Sequence, residues 1–520
     1  MTSDTASAPR PNVGAWALAL VPAAAATAVF RGALPYFFAQ DDFLGLARAR
    51  GIAPPLAGPW RWLSGQAYFE LMRPFGLASA TPYHAVSLMC HAAAAALLAL
   101  LLARRIGAPA ALIGATYFAA HPSHYTAVYS VSGIGELLAG LAVLATMWLV
   151  QDTGRWRWLA LPAFAAALLC KESVLLLPVF LLSTPGHGAP LESGTTSRAG
   201  HDAGARRDAR WALAALSALF AALLFASDVF AVRTGLASRA PYALSFGPHV
   251  LANAATYLGW AVQPWLPLAR SFQDAVDTFV FPAAAIAALM WAAGLAWGPL
   301  RRSAWWSGGA LYFWLLVPVL ALRNHTYHYY LYAPLIGISM ALAALADVVF
   351  AETRIGRGSA PAWAMALIGA ALFTWNGAAF IHRIETLPFT DPRLRADAQV
   401  DRARIARRVT DGLEAARLPV GTKLAFWSPS ALLEQARTQG GAAGPKESYA
   451  EANVRAALMD GLAVRVLFPG LGDVSFMHQY RSPAPPSRVA LYDIDGTLRI
   501  SSPAQVDSML AAHPIAGARP

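Results

Sequence analysis

Long apolar runs broken by short polar connections organise most of this chain. The first covers residues 13–30, and others follow near 84–103, 108–121, 134–150, 156–170, 173–184, 211–231, 279–298, 304–322, 329–350 and 361–381. A helix needs about 20 apolar residues to cross a bilayer, so 108–121 and 173–184 are short, and the pattern predicts a bundle of about eleven transmembrane helices. The first run follows Arg10 and is rich in Ala; its length and the further runs behind it favour an uncleaved first helix over a signal peptide. A twelfth stretch, 249–268, carries Asn253, Gln263, Pro264 and Pro267. We expect it to lie re-entrant or flat on the outer face.

The connections alternate in character. With residues 1–12 in the cytoplasm, the inner loops hold Arg104-Arg105, Arg155 with Arg157, four arginines between 197 and 210, Arg301-Arg302, and Arg354 with Arg357, as the positive-inside rule requires. The outer side then receives the loop 32–83, the turn 121–133, Lys171-Glu172, the stretch 232–278, the segment 323–330, and everything after about 382. From 383 to 520 no apolar run remains and Arg, Asp, Glu and Pro rise. This tail reads as a small α/β domain, with a helix over 401–416 and strands over 423–427, 463–468 and 488–492.

Composition narrows the class. Hydrophobic residues make up 57% and charged residues 13% of the 520, with a mean hydropathy of +0.44, against about 25% charged in soluble domains. The net charge of +11 sits largely in connecting loops, so it sets topology and does not point to nucleic acid. Cys90 and Cys170 match no metal or redox spacing and read as core residues.

The candidate chemistry collects on the outer face. Asp41 and Asp42 follow Phe37-Phe38-Ala39-Gln40 just past the first helix, where ionised groups are expected to be functional. On an extended segment neighbours point apart. One would face a cavity as general base while the other caps the short helix at Phe43-Leu44; the alternative is that both cap. Arg61, within Trp60-Arg61-Trp62, suits a phosphate or an interfacial anchor, and Arg73 reads as an anchor. His121 and His124 would suit a metal on a helix, which Pro122 disfavours, and Glu136 would have to fold back to join them; no metal or other cofactor is assigned. Glu136 starts a helix, where it favours the dipole, so capping competes with a catalytic or substrate-binding part for it; His124 is also a candidate substrate contact. Lys171 and Glu172 form either an ion pair with each other or a contact to substrate phosphate. The run 324–332 includes His328 and Tyr330, which offer stacking and hydrogen bonds to a sugar, or an aromatic belt. Tyr492-Asp493-Ile494-Asp495-Gly496-Thr497 matches a phosphatase nucleophile motif, but 22 residues after Leu498 cannot supply its remaining parts, so Asp495-Gly496 reads as a hairpin turn.

In order and spacing these residues resemble the GT-C superfamily of membrane glycosyltransferases, most like the protein O-mannosyltransferase branch whose eukaryotic members carry tetratricopeptide repeats, absent here. The likeness covers roughly 15–385. It rests on Asp41-Asp42-Phe43, Arg61, Pro82-Tyr83-His84-Ala85-Val86 with His91, His121-Pro122-Ser123-His124, Ser132-Gly133 with Glu136-Leu137-Leu138, Leu169-Cys170-Lys171-Glu172 and Tyr330-Leu331-Tyr332-Ala333-Pro334. The resemblance implies transfer of a sugar, mannose among the candidates, from a polyprenyl phosphate to a protein or glycan acceptor. Inversion would use Asp41 or Asp42 as base and Arg61 at the lipid phosphate. The chain departs from the repeat-bearing relatives at Tyr125-Thr126, Ile134, His328-Tyr329 and Trp62. A lipid-carrier flippase or transporter, or an inactive membrane scaffold, are the competing classes.

Overall fold

A computed structural model describes residues 13–152, 154–184, 196–226, 244–262, 280–301, 303–322, 325–353, 355–386, 399–428, 449–476, 486–493 and 496–512. The expectations for 1–12, 232–243, Gln263, Pro264, Pro267, 269–278, Arg302, Asn324, Arg354, Ile494 and Asp495 fall outside them.

Each apolar run carries a helix: α1 (Val13–Phe30), then, after the loop helices α2 (Asp41–Ala49) and α3 (Tyr68–Met72), α4 (Thr81–Ala103) and α5 (Ala108–Ala120). A short α6 (Tyr125–Tyr129) precedes α7 (Ile134–Leu149), α8 (Ala160–Cys170), α9 (Leu177–Ser183) and α10 (Thr196–Phe225). The series continues with α11 (Pro248–Val262), α12 (Val280–Ala296), α13 (Gly298–Arg301), α14 (Trp305–Leu320), α15 (Pro334–Glu352) and α16 (Ala360–Thr386). Among the described residues four stretches are long and apolar enough to cross a bilayer, namely Thr81–Ala103, Arg207–Phe225, Pro334–Glu352 and Ala360–Thr386. The pair Pro122–Tyr129 and Ile134–Leu149, bent by 117°, makes a fifth if taken as one broken span. The remaining apolar helices are shorter than the eleven-helix expectation assumes. Proline starts several of them, where its missing N–H has no helical partner to lose (α4, α5, α9, α15).

Small residues let the backbones close up. At the α14–α15 crossing Gly308 faces Gly337, and a Cβ on Gly337 would lie 2.4 Å from both the Gly308 carbonyl and the Tyr312 amide. Packing of this kind replaces the hydrophobic drive that lipid cannot supply.

The tail folds as α17 (Gln399–Ala416), β1 (Leu424–Trp427), α18 (Tyr449–Ala457), α19 (Leu462–Leu467), β2 (Val474–Phe476), β3 (Arg488–Tyr492), β4 (Leu498–Ser501) and α20 (Pro503–Ala512). Its sheet has the order β2-β1-β3-β4, with β1 parallel to β2 and β3, and β3 antiparallel to β4. Between β3 and β4 the Asp493 amide donates to the Thr497 carbonyl at 3.0 Å, the Gly496 amide donates to the Asp493 carbonyl at 3.0 Å, and Gly496 sits at φ +84°. Of residues 463–468, expected as a strand, all but Phe468 lie instead in the helix α19. Three positive-φ residues, Met459, Asp460 and Gly461, reverse the chain ahead of it, and helical spacing then buries Ala463, Val464 and Val466; packing overrides the β preference of the valines.

Candidate functional site

The connections gather at two ends of the bundle. At one, Asp347 accepts from the Gly107 amide at 2.9 Å and pairs with Arg357 at 3.0 Å, Arg104 lies over the Trp148 ring, and Arg210 donates to the Thr184 carbonyl. These are all loops expected to be inner. At the other end the loop 32–83, the turn 121–133, the 171–172 junction, the segment 325–330 and the tail meet one another. Helix α11 belongs to this second end: its Asn253 amide donates to the Leu320 and Leu322 carbonyls and its carbonyl accepts from Thr326. At 15 residues α11 is short of a full span; its continuation lies outside the described residues.

Asp41 and Asp42 do not lie on an extended segment. They form the first turn of α2, where a carboxylate favours the helix dipole. Consecutive helix positions still diverge by about 100°, so the two part company. Asp41 is exposed and Asp42 is fully buried. The Asp42 carboxylate accepts from the Ala39 amide at 3.0 Å, the Ser132 amide at 2.6 Å and the Ser130 hydroxyl at 3.2 Å. It thereby ties the first loop to the turn between α6 and α7. Burial pushes its carboxyl up to about 6, against the pull of the Ala39 and Ser132 amides in the opposite direction. The residue before the pair, Gln40, sits at φ +55°, ψ −127°, a region that costs a side-chain-bearing residue about 1–3 kcal/mol.

Two ion pairs run beside this turn. Arg61, also at positive φ (+51°), holds Glu172 through both ends of its fork, Nε to Oε2 at 3.0 Å and one terminal nitrogen to Oε1 at 2.6 Å, and the Trp60 indole donates to the same carboxylate at 2.9 Å. Lys171 pairs with Glu136 at 2.6 Å, both nearly buried. Lys171 and Glu172, adjacent in sequence, therefore serve different partners; the expected mutual pair does not form because the extended backbone at Lys171 (φ −156°, ψ 129°) sends them apart. The Lys171 ammonium faces the Tyr329 and Tyr330 rings at 4.9 and 5.1 Å. The Tyr329 hydroxyl meets His325 at 2.8 Å.

Behind this layer lies a buried aromatic and histidine cluster. Pro122–His124 forms one 3-10 turn, which brings the His121 and His124 rings to 6.0 Å and His124 to 5.0 Å from His91 and 4.6 Å from Tyr332. His91 bonds Tyr332 and the Ala119 carbonyl, and His121 bonds Ser123 and the Ala261 carbonyl. Neither ring nitrogen of His124 makes a well-formed hydrogen bond. His328 stacks on Trp260 with centroids 3.9 Å apart. Glu136 turns to Lys171 and not to the histidines, and among the described residues no three His, Cys, Asp or Glu side chains converge as a metal site.

Of the residues singled out in the sequence, Arg61, Glu136, Lys171, Glu172 and Tyr330 share one polar layer, and Asp42 is joined to it through the turn 130–136; Asp41 is exposed on the other side of α2's first turn from that contact. His124 and His328 lie in the buried cluster behind it. The sequence reading missed Gln40, Ser130, Gln399 and Arg402. The Gln40 amide nitrogen donates to Gln399 at 3.0 Å, its carbonyl oxygen accepts from Arg402 at 2.7 Å, and its backbone N–H reaches the Ala457 carbonyl at 3.1 Å. The tail thus holds the residue that leads into the acidic pair. Ser130 stood two residues from a motif position and was findable; the tail contacts join segments about 360 residues apart and had no local signal. No family model and no curated protein matches the chain.

Proposed function

We propose that the chain is an integral-membrane inverting glycosyltransferase that moves a sugar from a polyprenyl-phosphate donor to a protein or glycan acceptor. The observation that carries this reading is the division of labour at the acidic pair. Asp42 is buried and fixes the turn that leads into Glu136 and its layer of lysine, arginine fork and tyrosines, while Asp41, one residue earlier, is exposed.

In this reaction the acceptor hydroxyl attacks the anomeric carbon as the bond from that carbon to the phosphate oxygen breaks. Asp41 takes the hydroxyl proton, and the polyprenyl phosphate leaves with the electron pair. One base and a cationic environment for the departing phosphate are the whole requirement. Arg61 supplies the second, exchanging its partly open pair with Glu172 for the phosphate; Lys171 stays matched by Glu136. Tyr330 and Tyr329 line the sugar side.

Eleven crossings, an inner amino terminus, and an active site and tail on the outer face of a plasma membrane complete the reading. Its support is that the described loops gather at two ends of the bundle, with the ionised side chains of the described bundle at those ends. A transporter would instead place them at midplane. The test is incubation of membranes containing the chain with a panel of radiolabelled polyprenyl-phosphate sugars. Label passes to an endogenous acceptor with at least one donor if the reading holds; no transfer from any donor, against a positive-control transferase, overturns it.

A further inference from the structure

The geometry points to a second anion site, for the phosphate of an anionic lipid headgroup, in a cavity between the first loop and the tail helix α17. It is separate from the polar layer described above and does not rest on the transferase reading. The cavity holds about 460 Å³ and is lined by Tyr36, Phe37, Glu385, Arg404, Arg407 and Arg408 among others.

Helix α17 buries Val400, Ala403, Ile405, Ala406, Val409 and Leu413, which leaves Arg404, Arg407 and Arg408, spaced i, i+3, i+4, on one face over the cavity. Two of the forks are aimed by neutral groups. Arg404 donates to the Tyr36 hydroxyl at 3.3 Å and to the Glu385 backbone carbonyl; Arg407 donates to the Ala78 carbonyl at 3.2 Å and lies over the Phe37 ring at 5.2 Å. Three guanidinium groups thus face one lining carboxylate, Glu385, and that carboxylate is engaged by the Tyr129 hydroxyl at 2.5 Å. Asp401 and Asp411 meet Arg404 and Arg407 at 3.6 and 3.0 Å along the helix surface. Such exposed pairs contribute little and exchange readily for a phosphate that takes a planar fork.

Position selects the source of that phosphate. The cavity sits where α1 and α16 end, and α16 has 27 residues, about 40 Å at 1.5 Å per residue, against a hydrocarbon core of about 30 Å. With the exposed apolar residues Leu367, Ile368, Leu372 and Trp375 taken as its lipid-facing part, we assign its last turn, with Glu385, to headgroup level. The apolar part of the lining, Pro35 and Phe37, suits the glycerol and first methylenes of a lipid.

The test uses the full-length protein in detergent, with bound phosphatidylglycerol and phosphatidylcholine titrated by native mass spectrometry. Wild type binds phosphatidylglycerol in preference. Arg407→Gln with Arg408→Gln, both exposed and so expected to leave the fold intact by melting temperature, weakens it about tenfold or more, and Arg408→Gln alone weakens it measurably. Arg465→Gln, elsewhere on the tail, leaves it unchanged. Equal binding of the two lipids, a folded double variant that binds as wild type does, or inorganic phosphate binding as tightly as the lipid would each overturn the assignment.

Discussion

Lys171→Met puts the buried ion pair to the test. In wild type the Lys171 ammonium lies 2.6 Å from Glu136, with side chains 9% and 5% exposed, and it also faces Tyr329 and Tyr330. Methionine keeps most of the volume and removes the charge, which strands the Glu136 carboxylate. Removing one partner of a buried pair costs about 3–5 kcal/mol, and the loss of cation–π attraction adds roughly 0.5–2 kcal/mol. A melting temperature falls by about 2–4 °C per kcal/mol in domains of 150–250 residues and by less in longer chains; scaled to this one, the drop is roughly 3–10 °C. The assay is tryptophan fluorescence on heating the detergent-purified protein. Lys171→Met combined with Glu136→Gln removes both charges and recovers most of the loss, because no carboxylate is left unpaired. A single variant within 1 °C of wild type, or a double variant no better than the single, would refute the claim that this pair is electrostatically closed.

Other outcomes follow from the same geometry. The Asp42 carboxyl binds its proton more tightly in the folded state, at about 6, than in an unfolded chain at about 3.9. Its stabilising contribution is therefore present below about pH 4 and is lost as pH rises to 6, roughly 3 kcal/mol in all; melting curves between pH 4 and 7.5 should be flatter for Asp42→Asn by that amount. At Gln40 the usual ranking inverts: alanine keeps the +55° φ and loses the tail contacts, so Gln40→Gly should melt above Gln40→Ala by about 1 kcal/mol or more. Gly337→Ala drives a methyl to 2.4 Å from two backbone atoms and should abolish folded yield on size-exclusion chromatography, whereas Gly298→Ala, with open space around it, should not.

How much of this was legible in the sequence depended on the range of the interaction. Helices in the bundle were, because burial in lipid demands apolar runs of Ala and Leu that no other structure explains. The sorting of loops was too, since basic residues alternate with the polar clusters now found at opposite ends. The β3–β4 hairpin was legible through Asp495-Gly496 between two apolar stretches. Asp41 and Asp42 were located but given the wrong backbone: two acids ahead of Phe43 and Leu46 are a helix start, and the extended reading gave that signal too little weight. Arg61 with Glu172 and Lys171 with Glu136 were individually conspicuous, but their partners lie 111 and 35 positions away, and only the folded bundle chooses between the alternatives. Gln40 carried no sign at all, because its conformation is imposed by Gln399, Arg402 and Ala457 in the tail.

The account turns on Asp41 as the base, and Asp41→Asn tests that most directly. Transfer of labelled sugar from the preferred polyprenyl-phosphate donor would be compared between wild type and the variant at equal protein level and equal melting temperature. Asp41 is exposed and holds no other element in place, so the variant should fold as wild type does while its turnover falls about 10²–10⁴-fold. Undiminished transfer by Asp41→Asn would contradict the account, and would remove the exposed carboxylate from the reaction.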